Sequence, residues 1–161
     1  MIDKKKNIYI VLIFLIIAYP SFYLITNVKL VKSNSMQPLL NDNYLVLISK
    51  KVKNIKKDMI YGFTVDNKIV IKRAIAVNEN IVEIKNGILY INNQEDKRNY
   101  KIVFSNDNFG PEKIKNDEVF FLGDNRLQSI DSRSYGAINI NKIEFRVIMI
   151  IFPMKKLSVI L

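Results

Sequence analysis

The chain predicts a mostly β protein, a curled sheet or small barrel-like assembly carried behind one N-terminal transmembrane helix. Three observations predict it. After residue 25 the apolar residues come in short runs rich in Ile, Val and Tyr, and no span there keeps a long helical period. Asn86-Gly87 separates two of those runs by two residues that both tolerate positive φ, a strong hairpin signal. Residues 8–25, finally, hold no charged side chain over 18 positions and follow closely on Lys4-Lys5-Lys6. A chain of 161 residues with 49% apolar content suits one modest domain, and no repeat or linker interrupts it.

Taken in order, residues 1–7 form a basic tail that the positive-inside rule places in the cytoplasm, and residues 8–25 form the anchor, just at the lower length limit for a spanning helix. Tyr9, Tyr19 and Tyr23 suit positions near the interfaces. A cleaved signal peptide shares the basic start, but the apolar run is longer than usual and Ile25-Thr26-Asn27-Val28-Lys29 offers no small-x-small cleavage site. A buried core helix fits poorly with the terminal position and with Pro20. Residues 26–161 then lie outside the membrane. Strands are expected at 44–48, 59–64, 69–77, 81–84, 88–91, 119–122 and 143–152, whereas 92–116 is polar and reads as loops with one short strand at 101–104. Val147 to Phe152 is continuously apolar, which predicts a strand buried on both faces or, alternatively, one whose outer face meets lipid.

There is no histidine and no cysteine. That removes a Ser-His-Asp triad, a thiol nucleophile, disulfides and any zinc site built from imidazole or thiolate; no cofactor is expected. Nucleophilic chemistry must therefore draw its base from Lys, Asp or Glu. Net charge is +10, of which Asp3 against Lys4, Lys5 and Lys6 accounts for +2 and leaves +8 outside the membrane. Such a charge fits anionic lipid headgroups or an anionic cell wall. Nucleic acid is not expected as a partner, because the lysines read as scattered and the rest of the chain argues for membrane topology.

Three groups of residues carry candidate chemistry. Ser35 precedes Met36-Gln37-Pro38 shortly after the anchor, which would hold a hydroxyl close to the membrane surface, although alone it reads equally as a Ser-containing turn. Lys72 lies in the strand expected at 69–77, where alternation puts Val70, Lys72, Ala74 and Ala76 on one face and Ile71, Arg73, Ile75 and Val77 on the other. Flanked by Val and Ala, its ammonium is open to desolvation, which lowers the pKa toward a neutral amine able to take the Ser35 proton. A snorkelling or edge-protecting lysine is the plainer alternative. The stretch Gly123-Asp124-Asn125-Arg126-Leu127-Gln128-Ser129-Ile130-Asp131-Ser132-Arg133 packs polar groups too densely for a plain surface loop. In it Ser129 would orient the amine, Asp124 would pair with Arg73, and Asp131 with Arg133; such pairs fix geometry more surely than they add stability.

In these residues, their order and the preceding anchor, the chain resembles bacterial type I signal peptidase, the Ser-Lys leader peptidase that removes signal peptides from exported proteins. Ser35-Met36-Gln37-Pro38-Leu39-Leu40 is similar to the family's nucleophile box, Ile71-Lys72-Arg73-Ala74-Ile75 to its general-base box, and Gly123 to Arg133 with Gly136 to its Gly-Asp-Asn-Arg, Ser, Asp-Ser-Arg box. The resemblance implies Ser35 as nucleophile, Lys72 as general base, Ser129 as its orienting partner, and a Ser33 hydroxyl assisting the Ser35 amide in the oxyanion hole. It implies Arg73 with Asp124, and Asp131 with Arg133, as structural ion pairs. It also implies a signal-peptidase-like curled β-sheet catalytic core over 26–161, with a small insertion at about 78–118 in place of a large second domain. Partners would be signal peptides of exported preproteins, membrane lipid, and export or surface-assembly machinery. Met36 and Leu39 are candidate walls of the substrate pocket.

Two departures stand out. The family's Pro-Thr-Leu is Pro38-Leu39-Leu40 here, and the Gly-x-Pro-Gly-Asp that follows the base strand is Ala76-Val77-Asn78-Glu79-Asn80. Such drift suits a peptidase specialised for a few surface-assembly substrates, and it keeps open a non-proteolytic accessory or chaperone built on the same scaffold. A self-cleaving Ser-Lys regulator would need a DNA-binding or partner-binding amino-terminal module, where this chain has a lysine-flanked apolar segment.

Overall fold

From Val28 onward the β-branched and aromatic runs become strands, as residues that pack well on a pleated surface should. The computed structural model describes residues 8, 9, 12–14, 16, 18, 27–97 and 101–160. The tail at 1–7 and much of the expected anchor at 8–25 lie outside the described residues. Those described between 8 and 18 are helical, and among the described residues no helix is long and apolar enough to cross a membrane.

The strands are β1 (Val28–Leu30), β2 (Leu45–Ser49), β3 (Ile60–Val65), β4 (Lys68–Val77), β5 (Ile81–Lys85), β6 (Ile88–Ile91), β7 (Gln94–Glu95), β8 (Phe109–Lys113), β9 (Glu118–Leu122), β10 (Ile138–Asn139), β11 (Ile143–Phe152) and β12 (Ser158–Val159). The main sheet runs β1-β2-β11-β3-β4-β9-β10, with β12 added on β11; a second sheet runs β7-β6-β5-β8. Strand pairing within both sheets is antiparallel. The Asn86-Gly87 turn takes the positive φ its residues favour, 48° and 78°, and sets Lys85 opposite Ile88.

Alternation on the central strands divides the apolar side chains between layers. On β3, Ile60 faces Val31, Met36, Leu40, Val46, Phe145 and Val147, whereas Tyr61 and Phe63 face Ala74, Val119 and Phe121. Gly62 has a packing reason: a Cβ there would sit 2.0 Å from the Phe145 ring, so only glycine admits that ring against β3. A third cluster joins the sheets, with Ile75, Phe120 and Leu122 of the main sheet packed on Val82, Ile84 and Leu89 of the small one. The main sheet curls: residues of β1 and β4, first and fifth in strand order, line one groove.

Four expectations change. Residues 101–104 form no strand; Val103 makes a single parallel bridge to Asn125 instead. The polar region at 92–116 does hold strands, β7 and β8, because backbone pairing, the Phe109 ring on Phe120 at 5.0 Å between centroids and the buried Ile114 side chain dock it. The alternation expected along 69–77 slips at a bulge between Ala74 and Ala76 in the pairing with β9. Ala76 therefore joins the Ile75 cluster and Val77 the Ala74 cluster, the reverse of a regular strand. Likewise β11 is not buried on both faces. Bulges between Val147 and Met149 and between Ile150 and Phe152 keep Phe145, Val147 and Ile150 inward, leaving Ile148, Met149 and Ile151 half-buried and Phe152 exposed.

Candidate active site

Residues 31–44 leave β1 in a tight excursion and return to β2. Val31 N–H donates to Tyr44 O and Leu40 N–H to Met36 O, while Met36 and Leu40 bury their side chains in the core. The turn so pinned presents Ser35, only 5% exposed, toward β4. There Lys72 Nζ stands 2.7 Å from Ser35 Oγ, and it also donates to Ile71 O at 3.2 Å. The lysine is 4% exposed. Burial pulls its ammonium down from 10.5 to about 8, against the opposing influence of Asp131, whose charge favours the ammonium.

Ser33 Oγ accepts the Ser35 N–H at 3.1 Å, so the hydroxyl and the amide named for the oxyanion hole already touch each other. Ser129 Oγ is buried and has no hydrogen-bond partner among the described residues. It does not reach the Lys72 amine here; it lies over Gly123, where a Cβ would come within 2.3 Å of it and 2.5 Å of Ser35 O. The absence of a side chain at Gly123 is what lets the Ser129 turn close on Ser35.

The two ion pairs sit as frames around this pair. Arg73 Nε and Nη2 grip Asp124 Oδ1 and Oδ2 at 2.8 and 2.6 Å, both side chains almost wholly buried, and Arg73 Nη1 donates to Asp58 O. Asp131, fully buried, takes Arg133 Nε at 2.8 Å and Nη2 at 2.9 Å, and accepts the Gly123 N–H at 3.0 Å. Burial opposes the charge on Arg133, but Asp131 and Asp107 outweigh it and raise the guanidinium pKa.

Beside Ser35 and Lys72 opens a groove of about 500 Å³, walled by β1 and Lys32-Ser33 on one side, by Lys68 to Lys72 on the other, and floored in part by Met36 and Phe145. Leu39 is not part of it; the Ser35–Leu40 turn directs that side chain against the core beside Met36. Among the described residues, 68–72 of β4 pair with β3 alone, because β9 begins its pairing at Arg73.

Several contacts were not foreseen. Asn125 donates its N–H to Ser35 O and its Nδ2 to Asn34 O, tying the acidic turn to the Ser35 turn. Asp107 and Ser105 engage Arg133. Asn125 stands in the motif, so its importance had a signal; Asp107 is one polar residue among many, 26 positions from its partner.

A family model described as signal peptidase, peptidase S26, matches residues 4–152. Signal peptidase I of Bacillus amyloliquefaciens is 32% identical over 117 residues, 65% of this chain, and the chain spans 63% of that relative's length. Signal peptidase I S of Bacillus subtilis strain 168 is 32% identical over 151 residues, 83% of this chain and 82% of that protein. A crystal structure of a signal peptidase I from Enterococcus faecalis V583 shares the fold, with a TM-score of 0.50 at 23% identity over 58% of this chain and 97% of that one. A match extending over most of the sequence, together with these relatives, establishes that the chain belongs to the signal peptidase S26 family.

Proposed function

We propose that this protein is a membrane-anchored Ser-Lys endopeptidase that removes signal peptides from exported preproteins on the outer face of the membrane. The observation that carries the reading is the 2.7 Å approach of Lys72 Nζ to Ser35 Oγ in a buried setting that lowers the lysine pKa to about 8. Neutral Lys72 accepts the Ser35 proton as Oγ adds to the scissile carbonyl. The incoming carbonyl oxygen takes the Ser35 N–H from Ser33 Oγ, and the Ser33 hydroxyl turns to donate beside it. Collapse of the intermediate breaks the C–N bond, and the Lys72 ammonium returns its proton to the leaving amine. A water, deprotonated by the same amine, then hydrolyses the acyl-enzyme and frees Ser35.

The groove suits an extended substrate, since residues 68–72 offer strand backbone on the side that β9 leaves open. Met36 and Phe145 would help wall shallow apolar pockets for small side chains at the first and third positions before the cleaved bond. Ser129 would turn its unpartnered hydroxyl to the amine, and the two ion pairs would hold the frame. Residues 8–25 would anchor residues 26–161, the catalytic domain, to lipid, with 78–118 as its small insertion. Export or surface-assembly machinery would be the partners, and a few surface-assembly preproteins the substrates. The altered segment Ala76 to Asn80 supports that narrower role.

Full-length protein in detergent, incubated with preproteins, is expected to cut them after the signal peptide, and Ser35→Ala to lower the rate by roughly 10³-fold or more. If Ser35→Ala leaves both processing and surface assembly intact, the non-proteolytic accessory role takes its place.

A further inference from the structure

The lysines read as scattered, but five of them, Lys50, Lys51, Lys53, Lys56 and Lys57, fall in the connection from β2 to β3 with no acidic residue among positions 50–57. All five are exposed. The loop that carries them is pinned from within. Val52 and Ile55 pack on the Tyr61, Phe63 and Phe121 cluster, and Lys56 N–H donates to Tyr61 Oη at 2.9 Å. Asp58 N–H then donates to Ala74 O at 2.8 Å and closes the loop onto β4. The apolar residues therefore turn inward and the ammonium groups outward.

Register places this loop. β1 is antiparallel to β2, with Val28 opposite Leu47 and Leu30 opposite Leu45, so the N-terminal end of β1 points to Ser49 and the start of the lysine loop. Arg146 lies opposite Ser49 and adds another cation at that end of the sheet. The chain thus enters from residues 8–25 at the end where β2 passes into Lys50–Lys57. Two strand residues cover about 7 Å, less than the screening length of about 8 Å at physiological ionic strength.

We propose that the Lys50–Lys57 loop binds anionic phospholipid headgroups and sets how the domain leans on a negatively charged leaflet. The proposal rests on the reading of 8–25 as a membrane anchor. Lysines are compact, strongly hydrated point charges, suited to a fluid array of headgroups rather than to one oriented ligand.

The chain has no cysteine, so Asn54→Cys gives a unique site at the loop tip for an environment-sensitive fluorophore. Full-length protein is placed in bilayer discs of zwitterionic lipid, or of lipid in which about a third is phosphatidylglycerol, each with a headgroup-attached quencher. Quenching is expected to be at least about twofold stronger on the anionic discs, to fall back at about 0.5 M salt, and to be lost in K50Q/K51Q/K53Q/K56Q. The same label at Asn106, exposed in the small insertion, is expected to show no such difference. Equal quenching on both discs, or a difference that survives salt or the fourfold substitution, overturns the proposal. Extraction of the protein from the bilayer by alkali overturns the anchor and the loop's role together. Preprotein cleavage is measured on the same discs: cleavage with an unresponsive label sinks the lipid contact alone, and a responsive label without cleavage sinks the peptidase reading alone.

Discussion

Lys72 is the residue at which stability and the proposed chemistry are opposed. Its ammonium titrates near 8 in the folded chain and at 10.5 when solvated, so the fold disfavours the charged form. The unfolded chain binds more protons between those values, and stability therefore rises with pH from about 8 to 10.5 and is lowest below 8. The shift corresponds to roughly 3 kcal/mol at neutral pH. Lys72→Met is thus expected to abolish cleavage yet raise stability toward unfolding by up to that amount at pH 7, with the advantage fading by pH 10.5, as pH-dependent denaturation would measure. Lys72→Arg is expected to be inactive as well, because a guanidinium keeps its proton. In the protein itself the cleavage rate should climb as pH passes through about 8. At this scale the sequence was legible where composition narrowed the choice: without His or Cys a base had to be Lys, Asp or Glu, and the resemblance pointed to Lys72. That Ser129 Oγ rests without a hydrogen-bond partner among the described residues was not legible, because hydroxyl rotamers depend on neighbours that the chain brings together only on folding.

Among the elements, the turn from Gly123 to Ser129 leaves little room for change. Ala at 123 would set its Cβ 2.3 Å from Ser129 Oγ, which can rotate, and 2.5 Å from Ser35 O, which is backbone. Ser129 Cβ would stand equally close at 2.5 Å, so the clash has to be relieved by moving the Ser35 and Ser129 turns apart. Gly123→Ala is expected to cost about 1–3 kcal/mol in unfolding and to lower kcat/KM by more than about tenfold. A Ser129→Ala change in that background is expected not to restore it, since Ser35 O remains in the way. Elements with strong local signals were legible: the Asn86-Gly87 hairpin and the long strands at 69–77 and 143–152 stand where their residues put them, within a residue or so at the ends. The bulges in β4 and β11 were not, because a bulge is set by mismatch with a partner strand and leaves no mark in the alternation of one strand alone.

For the molecule as a whole, Arg73 and Asp124 tie three parts of the chain together: β4, the segment before β3 and the turn after β9. Removing Asp124 would take from the buried Arg73 guanidinium its two-pronged carboxylate partner. Asp124→Ala is expected to lower unfolding stability by about 3–5 kcal/mol, well beyond what Asp124→Glu loses; denaturant titration would show it, and equal small losses for both would deny the pair its structural role. The pairing was legible from Arg73 in an apolar strand, from the dense polar stretch that holds Asp124, and from the resemblance those residues carry. How the sheet curls to bring β1 beside β4 was not, because strand order depends on contacts between residues far apart in the chain.

The small sheet reaches the turn from Gly123 to Ser129 by an unbroken series of contacts. Gly87 at its hairpin tip donates to Asp107 O, Asp107 and Ser105 engage Arg133, Arg133 holds Asp131, and Asp131 receives the Gly123 N–H. A lineage is therefore free to rewrite the outer faces of this sheet but not the series itself. Gly87, Ser105, Asp107 and Arg133 should be inherited as a set, with a change at one tolerated only alongside changes at the others. What looks like an appendage in the order of the chain should behave, in heredity, as part of the Gly123–Ser129 turn.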